Sequence, residues 1–131
     1  MNSFSFINSK ANASTIEIRS AEKEKHFKGI LELQELNAPA NLSEMEIDKE
    51  GFVTVKHSSV LLEKMAVLAP QIIALMKGEI VGYVLSMHMN LRNELPVLKP
   101  MFDLFEKIDF KGRSLTSYAI IIGGQACIAK A

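Results

Sequence analysis

Gln71-Ile72-Ile73-Ala74-Leu75-Met76-Lys77-Gly78-Glu79-Ile80-Val81-Gly82-Tyr83-Val84-Leu85-Ser86-Met87-His88 is the stretch on which the fold turns. Gln71 to Met76 and Ile80 to His88 are apolar, partly β-branched runs, and Lys77-Gly78-Glu79 joins them by a short glycine-containing connection. So short a link returns the chain antiparallel, so the two runs predict a β-hairpin. Upstream, Leu61, Leu62, Met65, Leu68 and Ala69 recur at helical spacing, with Ser59 as N-cap and Pro70 as the stop. Further back, Ser43 and Glu46 have capping-box spacing for a short helix closed by Gly51. A charged segment from Ala21 to Lys28 leads into Phe27, Ile30, Leu31, Leu33 and Leu36, a broad apolar surface on a helix that Asn37 and Pro39 end. Thr15 to Arg19 alternates apolar with polar residues and predicts a half-buried strand.

Downstream of the hairpin, Pro96 and Pro100 frame a short helix over 101–108, with a proline in its first turn. Ser117 to Lys130 is strand-like, and Gly123 and Gly124 in its middle predict a bulge or a close backbone approach. The whole reads as α+β: a mixed, mainly antiparallel sheet with flanking helices. One domain over 15–131 is expected, preceded by a flexible tail over 1–14 that is rich in Ser and Asn.

The chain has 131 residues, of which 48% are hydrophobic, ample for one core. Its 15 basic residues cancel 15 acidic ones, which removes any global field for nucleic acid or an anionic membrane. No window approaches the roughly 20 apolar residues of a membrane span. The single cysteine, Cys127, cannot form an internal disulfide, and a cytoplasmic location fits it best. It reads as a packed core residue, because no histidine lies near it in sequence. No residue spacing suggests a metal site. The seven methionines read as gap-fillers in a core.

Several phrases resemble the GNAT superfamily of acyl-CoA-dependent N-acetyltransferases. They are Glu35-Leu36-Asn37 with Asn41-Leu42-Ser43, Gly51-Phe52-Val53-Thr54-Val55, Ile80-Val81-Gly82-Tyr83-Val84-Leu85, and Gly124-Gln125-Ala126-Cys127-Ile128-Ala129-Lys130. The match runs from about Ile16 to the last residue and corresponds to the first half of that fold. It implies transfer of an acetyl group from acetyl-CoA to a primary amine, by direct attack through a tetrahedral intermediate. Ala126, Cys127, Ile128 and Ala129 match the splayed strand whose free backbone groups pair with the pantetheine arm of acetyl-CoA, and an amide near Ile128 would stabilise the oxyanion. Asn37 and Asn41 match the loop that lines the acceptor pocket, although both also read as helix-breaking residues.

The family's pyrophosphate loop, a glycine-rich turn at a helix N-terminus, would follow Ala131, so the resemblance implies an incomplete enzyme. The alternative is a non-catalytic module acting through self-association or partner binding, with a homodimer through the exposed sheet edge one form of it. A third reading is a small α+β domain with an unrelated ligand. For the general base, the family often uses an acid near this strand, and none lies in Ser117 to Ala131. Glu94, Tyr118 and His88 are the candidates, each also readable as an ordinary surface or structural residue. His57 and His26 read as solvated.

Overall fold

A computed structural model of the chain describes residues 4–6, 15–50, 53 and 55–130, with the first three as backbone only. The chain runs β1 (Phe4–Phe6), β2 (Ile16–Ser20), α1 (Glu24–Leu36), α2 (Glu44–Glu50), α3 (Ser59–Leu68), β3 (Ile72–Met76), β4 (Glu79–His88), α4 (Lys99–Phe105), β5 (Asp109–Phe110), β6 (Arg113–Ser114) and β7 (Ile121–Ile128). It is an α+β fold. The main sheet has the order β1-β2-β3-β4-β7, and every described pairing is antiparallel. Of the stretch read as a tail, residues 4–6 form the strand at one edge; its other residues, like Gly51, lie outside the described residues.

The hairpin expected from the sequence is β3–β4. Lys77 and Gly78 both take positive φ, 52° and 79°, as a two-residue turn matched to the strand twist requires. The capping box forms as spaced, with Ser43 and Glu46 exchanging bonds of 3.1 and 3.2 Å. For α3 the cap is Ser58, one residue before the expected Ser59; its hydroxyl accepts from the Leu61 amide at 3.1 Å. The last strand is shorter than the expected Ser117 to Lys130: Leu115–Ser117 forms a 3-10 turn, and β7 runs only over Ile121–Ile128. A second hairpin, β5–β6, stands where no strand was expected. Its Lys111-Gly112 turn repeats the positive-φ geometry of Lys77-Gly78.

One face of the sheet carries the core. Phe27, Ile30 and Leu33 of α1 and Leu61, Leu62 and Met65 of α3 bury themselves with Ile73, Tyr83, Leu85 and Met87, and Phe102 of α4 completes the cluster. Gln71, fully buried, holds the entry to β3: its carboxamide donates to the Ser86 carbonyl and accepts from the Ser86 amide, both at 2.8 Å. The opposite face stands open at the β4–β7 end, where Val84, Ile121 and Ile128 are 47%, 53% and 80% exposed.

Candidate functional site

β7 carries the feature that builds the site. Val84 pairs with Ala126 and Ser86 with Gly123, so Leu85 faces both Gly124 and Gln125 across a β-bulge. A β-carbon on Gly124 would stand 3.1 Å from the Leu85 carbonyl oxygen, whereas one on Gly123 would meet open space. Glycine at the second position therefore allows a close approach that any side chain would push slightly apart. The extra residue also resets which face each side chain takes. Ile122 shares a face with Met87, and Cys127 with Tyr83. With one residue added between them, Gln125 joins Cys127 on the core face.

There Gln125 enters a hydrogen-bonded network. Its Oε1 accepts from the Tyr83 hydroxyl at 2.5 Å and from Gln34 Nε2 at 2.7 Å, while its own Nε2 donates to the Val55 carbonyl at 2.9 Å. Gln34, 3% exposed, accepts the His57 backbone amide on Oε1 at 2.8 Å. That fixes the carboxamide's orientation and makes its Nε2 a donor to His57 Nδ1 at 2.9 Å. The neutral ring then holds its proton on Nε2, which has no partner among the described residues. Burial lowers the His57 pKa from 6.5 and raises those of Tyr83 and Cys127. The cluster is uncharged at neutral pH. His57 can donate from Nε2 but has Nδ1 occupied, and the Cys127 thiol stays protonated.

Against this network lies a cavity of about 410 Å³. Its lining brings together Met65 of α3, Leu85 to Met87 of β4, Leu95 and Leu98 ahead of α4, Met101 within it, residues 122–126 of the bulge, and Val53, Val55 and His57. No Asp, Glu, Lys or Arg is among its described lining residues. β7 is the last strand of the sheet, and its outer edge pairs with no described strand. The Ala129 amide donates inward to the Val81 carbonyl at 2.8 Å, so alternation turns the backbone groups of Ala126 and Ile128 toward that open edge.

Of the residues singled out from the sequence, Ala126 lines the cavity and Cys127 borders the network. His88, Glu94 and Tyr118 do not line it. His88 Nδ1 accepts from the Asn90 amide and caps a 3-10 turn. Glu94 pairs with Lys64 at 2.9 Å. Tyr118 packs against the β5–β6 hairpin, where its hydroxyl donates to the Phe110 carbonyl and the Arg113 guanidinium lies 4.2 Å from its ring centre. Asn37 and Asn41 secure the end of α1, donating to the Leu33 and Glu35 carbonyls, each at 2.9 Å.

The expectation that His57 and His26 are solvated is overturned. His57 is partly buried in the network, and His26, 2% exposed, accepts from the Glu22 and Lys23 amides at the start of α1. Gln34, Tyr83 and Gln125 were not singled out as site residues; Tyr83 and Gln125 fell inside phrases quoted for the family resemblance, and the glycine pair precedes Gln125.

Among the described residues no group of three or more His, Cys, Asp or Glu side chains is placed to hold a metal ion, and no helix is long and apolar enough to cross a membrane. Comparison with protein-family models, with curated proteins and with solved structures returns no match.

Proposed function

We propose that this domain is of the GNAT N-acetyltransferase kind, using acetyl-CoA as co-substrate and a primary amine as acceptor. The observation that carries the reading is the glycine bulge in an outermost strand, with a cavity on one side and outward-turned backbone groups on the other. An edge strand of this sort can pair with the amide groups of a pantetheine arm as it would with a neighbouring strand. The thioester would then lie by the bulge, and the Ile128 amide would stabilise the oxyanion of the tetrahedral intermediate. Attack by the amine nitrogen forms the C–N bond, the C–S bond breaks, and the proton lost by nitrogen ends on the departing thiolate. With no carboxylate on the cavity wall, the amine reacts from its neutral form and water carries the proton.

Calorimetric titration of acetyl-CoA into the 131-residue chain tests this. Saturable binding is expected, and Ile128→Pro should reduce it at least tenfold. That substitution removes an outward amide and no ladder bond, so the thermal midpoint should move little. If acetyl-CoA gives no heat with a well-folded sample, the enzyme reading fails for this chain. The open outer face at Val84, Ile121 and Ile128 favours a second reading in that event, a module that works by association.

A further inference from the structure

We infer that the cavity beside the bulge takes an uncharged apolar group bearing one hydrogen-bond acceptor, and that the acceptor substrate is therefore a hydrophobic monoamine whose hydrocarbon part fills it. That the occupant is the amine's substituent rests on the acyltransferase reading above; that it is apolar and uncharged rests on the cavity alone. At about 410 Å³ the space is of small-molecule size. Its described lining offers thioether, isobutyl and other aliphatic surface from Met65, Met87, Leu95 and Met101, with no charged side chain. A cation placed there would give up part of its hydration without gaining a counter-charge, a cost that one hydrogen bond does not offset. Polyamines and free amino acids are disfavoured for this reason.

The cavity does have a directional feature. Gln34 Nε2 gives its two hydrogens to Gln125 and His57, whereas Gln125 Nε2 gives only one of its two, to the Val55 carbonyl. His57 Nε2–H and the second Gln125 Nε2–H remain without a partner among the described residues, and both are donors. An ether, hydroxyl or carbonyl oxygen on the occupant satisfies either, and a second ammonium satisfies neither. Methionine-rich walls adapt to rings or chains of differing shape, so one acceptor oxygen decides orientation more than shape does.

The test uses two uncoupled probes in the absence of acetyl-CoA, followed by NMR of backbone amides and by calorimetry. N-(2-phenylethyl)acetamide, uncharged and apolar with one carbonyl, should bind saturably and shift the amides of residues 122–126 and His57. N-acetylputrescine, which has the same amide but carries a cation, should bind at least tenfold more weakly. Met101→Glu should reverse that preference. Equal binding of the two probes, no binding of the apolar one, or an unchanged preference in Met101→Glu would overturn the inference. The titration with acetyl-CoA is independent: if the apolar probe binds and the coenzyme does not, the transferase reading falls while the cavity's chemistry stands.

Discussion

Gln34 is where three distant parts of the chain meet. Its carboxamide holds the His57 backbone, the His57 ring and the Gln125 side chain at once. Gln34→Leu keeps the volume but leaves those three groups unsatisfied, and should cost about 2 to 3 kcal/mol in urea unfolding. Tyr83→Phe removes one donor and should cost about 1 kcal/mol. Equal, near-zero losses in both variants would mean that water replaces the network. The histidine adds a pH dependence with a definite sign. Burial holds the folded pKa of His57 below its ordinary 6.5, so the native state binds fewer protons than the unfolded chain. Its contribution is fully present above pH 6.5 and is lost as pH falls through the folded value. His26, lowered by burial and by Arg19, Lys25 and Lys23, acts in the same direction. The thermal midpoint should therefore drop on acidification below 6.5, and less steeply in His57→Asn; identical acid slopes would remove His57 as a cause.

At the scale of elements, the bulge in β7 gives two adjacent glycines opposite fates. Gly123→Ala should be nearly silent, since its added carbon meets nothing. Gly124→Val forces a branched side chain toward the Leu85 carbonyl and should cost about 1 to 3 kcal/mol, with amide shifts running along β4. If the two substitutions behave alike, the strand does not hold this register.

The same elements explain what was legible in the sequence. The β3–β4 hairpin, the Ser43–Glu46 box and the glycine bulge are local, written within a few residues of one another, and each forms as read. Ser58 displaced Ser59 as the α3 cap because either hydroxyl can serve, and the choice depends on where the helix enters the core. The β5–β6 hairpin was missed because its strands are two residues each, too short to show alternation. The network was not legible for the opposite reason. Gln34 meets His57 across 23 positions and Gln125 across 91, and Gln125 reaches the core face only because of the bulge. No periodicity encodes a pairing that depends on parity changing within a strand.

For the molecule as a whole, the sheet is unequally covered. Helices bury one face, while Val84, Ile121 and Ile128 expose apolar surface beside an outer edge of β7 that pairs with no described strand. Light scattering of this chain should show mass increasing with concentration, and Val84→Lys with Ile128→Lys should abolish the increase at little cost in stability. A constant monomer mass at high concentration would show that the open face does not drive association. The hydrogen bond from Tyr83 to Gln125 has an optical corollary. The chain has no tryptophan and two tyrosines, so its ultraviolet emission arises from one phenol on the cavity network and one on the β5–β6 hairpin. Replacing Tyr118 with Phe leaves a single tyrosine, and the tyrosine emission of the whole protein becomes a gauge of what happens beside the bulge, with no label attached.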